Sequence, residues 1–191
     1  MKSLTYTLLF LALPLFTHAQ HKKEVEKFKQ NLIQMGAEVM PPLDGDYKEW
    51  SMAKNLTQNC QWAIKSRKNR LEIRFLTQPE VEGGRMLAYP DVASHRLAMH
   101  ICSNEQNAGI SVRDMTQHEM EDLFNADWGR VYIFPPKLDF SENAYCKMVA
   151  LQKAGKGMAY IFYLFDEPSQ AIDNSLYSFR FLSEAELEGN Q

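Results

Sequence analysis

Gln61-Trp62-Ala63-Ile64-Lys65-Ser66-Arg67-Lys68-Asn69-Arg70-Leu71-Glu72-Ile73-Arg74-Phe75 decides how the chain is read. Trp62 and Ile64 alternate with Gln61, Ala63 and Lys65, and Leu71, Ile73 and Phe75 alternate with Arg70, Glu72 and Arg74. Period two on both sides of Ser66-Arg67-Lys68-Asn69 predicts a β-hairpin with one apolar face and one wet face.

Further strands follow on the C-terminal side. Met158 to Phe165 is almost wholly apolar and aromatic, as a strand covered on both faces would be. Gly109–Arg113 and Arg130–Phe134 read as short strands, the second stopped by Pro135-Pro136. Leu176–Leu182 alternates again, with Tyr177, Phe179 and Phe181 on one side.

Helices come from the other period. Val25, Phe28, Leu32 and Met35 form one stripe over residues 22–35, and Gly36 stops it. Pro90-Asp91 opens a second helix to about Ser103, with Asp91 as its N-cap. Thr116 and Glu119 have capping-box spacing, and Met115 and Met120 flank them as a hydrophobic staple. A short helix is therefore expected over Gln117–Asn125. Ser141–Lys153 alternates poorly, while Ala144, Met148 and Leu151 share a helical stripe, so it reads as a helix ended by Gly155. The polar, acidic tail from Ser183 reads as loosely held. Together these elements predict an α+β fold. Its sheet should be mixed and mainly antiparallel, of about six strands, with Met158–Phe165 central and about four helices packed mostly on one face.

Residues 1–19 have the parts of a secretory signal. Lys2 supplies the positive end, Leu4 to Phe16 the apolar run, and Thr17 and Ala19 the small residues a signal peptidase reads. The run is shorter than the roughly 20 residues that span a bilayer, which weighs against an uncleaved anchor. Cleavage leaves residues 20–191 as one domain beginning at Gln20. It removes Lys2 and no acid, so the charge becomes −4 against −3 for the whole chain. So mild an acidity does not suggest nucleic acid or an anionic membrane as a partner. Cys60, Cys102 and Cys146 are an odd set, leaving at least one thiol free or intermolecular. If two pair, Cys102 and Cys146 are preferred, since both fall on expected helices.

Chemistry-bearing patterns are sparse. His21, His95, His100 and His118 lack the i,i+4 pairing of helical zinc motifs, so no metal site is expected. No motif asks for a cofactor. Asp91/His95 and His118/Asp122 stand at i,i+4. Each pair could orient a general base, or could be a solvent-exposed helical ion pair. Gly109-Ile110-Ser111-Val112-Arg113 lacks the second glycine of a nucleophile elbow. Gly155-Lys156-Gly157 lacks the length of a phosphate loop and reads as a turn. Lys65, Arg67, Lys68 and Arg70 surround the hairpin tip, as a solvated turn or as a contact for an anionic polymer or lipid headgroup.

Phe124-Asn125-Ala126-Asp127-Trp128-Gly129 is the most unusual local run. It reads either as a helix end closed by Gly129 with Trp128 in the core, or as a pocket rim. In the second reading Asn125, Asp127 and Trp128 are the candidate ligand-binding residues, polar groups beside an aromatic wall. No catalytic set is assigned. The ending His18-Ala19-Gln20, the Phe124–Gly129 run, and Cys146-Lys147-Met148 followed by Phe162-Tyr163-Leu164-Phe165-Asp166 resemble uncharacterised exported proteins of Bacteroidota, over roughly the C-terminal half. The resemblance implies a cell-envelope setting and no chemistry. The expected function is a non-enzymatic exported protein, periplasmic or extracellular, that binds a protein or small ligand of the cell envelope. It should not touch nucleic acid or span the membrane after signal cleavage. The alternatives are a small envelope hydrolase and a structural component docking by its sheet edge. A pocket gathering His95, His118, Asp122 and Asp127 would favour the enzyme, and an exposed aromatic patch would favour binding.

Overall fold

A computed structural model describes residues 22–43, 45–52, 57–81 and 89–189. The expected signal, the start at Gln20 and the Gly83-Gly84 break lie outside them. In chain order the elements are α1 (22–35), β1 (Ala37–Val39), β2 (Lys48–Glu49), β3 (Trp62–Ser66), β4 (Leu71–Pro79), α2 (Pro90–Ile101) and β5 (Ser111–Asp114). A wide π-helical turn (Glu119–Phe124) leads to β6 (Trp128–Phe134), β7 (Tyr145–Lys153) and β8 (Gly157–Phe165). After these come α3 (Gln170–Asn174), a 3-10 turn (Leu176–Ser178), β9 (Phe179–Phe181) and α4 (Glu184–Gly189).

The main sheet has seven strands in the order β2-β3-β4-β8-β7-β6-β5, and β1 and β9 form a separate pair. Every pairing is antiparallel. The domain is α+β, and β8 is its central strand, buried at all nine positions. No helix among the described residues is long and apolar enough to cross a membrane.

Two apolar layers form, one on each face. The first holds Ile73, Phe75, Val131, Ile161 and Tyr163, with Phe28 and Met35 of α1, Phe124 of the wide turn and Ile172 of α3. Phe28 stacks on Trp62 at 5.5 Å, and fully burying such a side chain contributes about 2 kcal/mol. The second layer holds Met148, Tyr160 and Phe162 under Ala98 and Ile101 of α2. Most helices thus share the first face.

Several expectations need correction. Ser141–Lys153 is not a helix: Tyr145 onwards is β7, lying between β6 and β8. Both its faces are covered, so Cys146, Met148, Val149, Ala150 and Leu151 are all buried and no alternation survives in the sequence. Much of the wet face of the β3–β4 hairpin is buried as well: Gln61, Ala63, Glu72 and Arg74 lie inside, with Lys65 half-exposed and Arg70 exposed. Arg74 Nε binds Glu72 Oε1 at 2.6 Å, Arg74 Nη1 donates to the Phe140 carbonyl at 2.5 Å, and Lys65 Nζ reaches Glu72 at 3.1 Å. Paired and hydrogen-bonded, Glu72 and Arg74 can lie inside.

Asp91 does not cap α2. The cap is Tyr89, with Pro90 at the first helical position and no side-chain bond. Leu176–Ser178 is 3-10 rather than strand, so β9 is only three residues long. The tail is not loose. Ser183 and Glu186 form a capping box, Ser183 N to Glu186 Oε2 at 2.8 Å and Glu186 N to Ser183 Oγ at 3.4 Å. Arg180 Nη2 then holds Glu186 at 2.6 Å.

Candidate functional site

The wide turn begins as its sequence requires. Thr116 N donates to Glu119 Oε2 at 2.8 Å and Glu119 N to Thr116 Oγ1 at 3.2 Å, which closes the capping box. Arg113 adds a two-pronged grip on Glu119, both bonds 2.8 Å. Hydrogen bonds from Arg113, aided by the Thr116 amide and hydroxyl and opposed by burial, hold the Glu119 carboxyl down at about 2.

The end of the turn differs from expectation. The left-handed residue is Asn125, at φ 47° and ψ 43°, and not Gly129. Asparagine tolerates that conformation better than most residues. Gly129 lies within β6, where Met115 and Met120 close over it. A Cβ there would stand 2.5 Å from Met115 Sδ and 3.3 Å from Met120 Cγ. The staple is real, and the glycine makes room for it.

Asn125 and Asp127 are brought together, and Lys153 of β7 joins them. Lys153 Nζ donates to Asn125 Oδ1 at 3.1 Å and to Asp127 Oδ1 at 3.0 Å. Asp127 Oδ2 accepts from Ala154 N at 2.8 Å, and Asn125 Nδ2 donates to the Phe181 carbonyl at 3.3 Å. Burial pushes the Asp127 carboxyl up, but the Ala154 amide and Lys153 outweigh it, and the net shift is downward. An open cleft of 530 Å³ lies here, lined by Gln117, Met120, Glu121, Asn125, Ala126, Asp127 and Lys153.

Trp128 is not part of that cleft. Successive strand residues point to opposite faces, and Trp128 packs half-buried against the second layer, with Arg130 5.5 Å from its ring. The polar groups of Asn125 and Asp127 are largely consumed by the fold. They tie the end of the wide turn to the β7–β8 turn and to β9.

The groups that would signal an enzyme stay apart. His118 Nδ1 meets Asp122 Oδ2 at 2.5 Å on an exposed helical face. His95 lies on α2, its ring 6.3 Å from Tyr132, on the other side of the sheet. Ser94 shares a 2.7 Å hydrogen bond with Tyr132 and also donates within its own helix to the Pro90 carbonyl. Ser111 sits on the exposed edge strand β5. Among the described residues no group of three His, Cys, Asp or Glu side chains could hold a metal ion. The three cysteines are free and buried in the second layer. The Cys102–Cys146 pair is not formed, and Cys146 lies on β7 rather than a helix. Burial pushes the Cys60 thiol up to about 12.

A second feature was missed in the sequence. Met40, Pro41, Pro42, Leu43, Asn174, Tyr177 and Ser178 line an open groove of 330 Å³. Leu43 is wholly exposed, Tyr177 54 % and Met40 44 %. Met40 N donates to the Ser178 carbonyl at 3.0 Å, which joins the two sides of the groove. The signal was present: apolar residues flanking Pro41-Pro42 where a loop would be polar, and Tyr177 out of phase with Phe179 once the 3-10 turn intervenes.

No protein-family model matches the chain, and no curated protein is significantly similar to it.

Proposed function

We propose that this is an exported, non-enzymatic binding or accessory protein of the cell envelope, with the groove between Met40–Leu43 and Tyr177 as its binding surface. One observation carries the reading: three exposed apolar side chains, Met40, Leu43 and Tyr177, gather around Pro41-Pro42 in one open groove. Contiguous exposed apolar surface marks an interaction site. The groove is preorganised, since the prolines fix φ at two positions and the β1–β9 pair anchors its ends. Preorganisation lowers the ordering cost of binding. Tyr177 adds a rigid, amphipathic ring of the kind that anchors interfaces.

The envelope setting rests on the signal-like residues 1–19 and on the resemblance to exported proteins. The alternative, a small hydrolase, rests on His118 and Asp122, whose 2.5 Å contact would orient an imidazole. No nucleophile stands beside it among the described residues.

The test is capture from the envelope fraction of the producing cell by the mature chain and by its Met40→Ser/Tyr177→Ser variant. Both side chains are exposed, so the melting midpoint should hold. Loss of a captured component supports the reading. Equal capture by both proteins removes the groove from it.

A further inference from the structure

We infer that the β3–β4 turn, with Lys48 and Trp50 beside it, is a docking surface for an anionic lipid bilayer. This goes beyond the groove and does not depend on it.

The turn and the strand beside it present Lys48, Lys65, Arg67, Lys68 and Arg70 against the exposed acids Asp46 and Glu49, in a chain where acids outnumber cations overall, while Arg74 is buried. Glu72 is spent internally on Arg74 and Lys65. Arg67, Lys68 and Arg70 stand exposed at the turn, and Lys48 is exposed beside it within the field of Asp46. Lys48 stands directly opposite Lys65 across the β2–β3 ladder.

The cations are held out rather than left on a slack loop. Asp46 Oδ1 accepts from Ser66 Oγ at 2.7 Å and from Lys68 N at 3.2 Å, and Asn69 N donates to Ser66 Oγ at 3.0 Å. Arg70 sits at φ 49°, a left-handed position that glycine or asparagine occupies with less strain. The turn keeps an arginine there.

Trp50 decides between a polymer and a bilayer. Its ring is 41 % exposed, with Lys65 Nζ 4.8 Å from the centroid. An indole flanked by cations suits the headgroup layer, where its apolar body and polar N–H are both satisfied. The charges ring the end of a hairpin instead of lining a trough, which fits a flat partner.

The test is co-sedimentation of the mature chain with vesicles of phosphatidylcholine alone and with vesicles rich in phosphatidylglycerol. Binding to the anionic vesicles only, reversed by high salt, is expected. Arg67→Gln/Lys68→Gln/Arg70→Asn should weaken it on the order of a hundredfold, at about fivefold for each cation near the surface. A control with the same charge change, Lys22→Gln/Lys23→Gln/Lys27→Gln on exposed α1 positions, should bind as the parent does. Trp50→Phe should abolish the part of the fluorescence blue shift that vesicles cause. The proposal is overturned by no binding to anionic vesicles, by equal loss in the α1 control, or by binding to soluble heparin without binding to vesicles.

Discussion

Lys153 Nζ lies 3.0 Å from Asp127 Oδ1, while Asp127 Oδ2 receives the Ala154 amide at 2.8 Å. Asp127 therefore acts as a clasp between β6 and the β7–β8 turn. Asp127→Ala should destabilise the fold by about 1 kcal/mol, a low figure because the ion pair is half exposed. The folded carboxyl titrates below its ordinary value of 3.8. Its stabilisation is thus present above about pH 4 and is lost as pH falls through the lower folded value. Thermal melts of parent and variant should differ at neutral pH and converge in acid. A difference that grows on acidification would contradict the clasp.

Glu119 gives a sharper pH signature. Its carboxyl is lowered from 4.5 to about 2, so its contribution is complete above about pH 4.5 and fades between there and about pH 2. Glu119→Gln should show a shallower fall in melting midpoint across that window than the parent. Thr116→Ala removes the reciprocal bond of the same capping box and should cost about 1 kcal/mol.

Gly155 and Gly157 flank one turn, at φ 71° and 134°. A Cβ on Gly155 would meet open space, whereas on Gly157 it would overlap the Gln78 carbonyl oxygen and crowd Glu80 N at 2.8 Å. Gly155→Ala should cost about 1 kcal/mol, the usual charge for left-handed backbone. Gly157→Ala adds a backbone clash and should cost about 3 kcal/mol or more. Urea titrations of the two variants give the order directly, and equal midpoints would refute it.

Cys60 and Cys146 are fully buried in one apolar layer, and desolvation raises both thiols. The thiolate is the reactive form. A thiol reagent at neutral pH should therefore count almost nothing in the native protein and three groups after denaturation. Fewer than three in the denatured, unreduced protein would mean that a disulfide forms.

The strands legible in the sequence were those whose two faces differ, β3 and β4, or whose apolar run was long, β8. β7 was hidden because Ala144, Met148 and Leu151 happen to share a helical stripe while both faces of the strand are covered. Glu72 and Arg74 looked solvated because pairing, which makes their burial tolerable, is a tertiary event. Ser183-x-x-Glu186 is the same signal that located Thr116-x-x-Glu119, and it went unread because the tail looked polar.

The candidate site was legible only in part. Asn125 and Asp127 do converge, but Lys153 arrives from 26 residues away, and no local pattern announces it. Trp128 was assigned to the same rim by adjacency, although neighbouring strand residues diverge. The groove at Met40 and Tyr177 depends on β1 meeting β9, a pairing of two three-residue strands too short to show period two.

The proposed function is binding through that groove without catalysis. It is tested most directly by titrating the captured envelope component against the parent chain, Met40→Ser/Tyr177→Ser and His118→Ala, with the component recovered and weighed by mass spectrometry. Affinity should be lower by at least about tenfold for the groove variant and at the parent level for His118→Ala, and the component's mass should be unchanged. Parent affinity in the groove variant, or a component cleaved by the parent and left intact by His118→Ala, would contradict it.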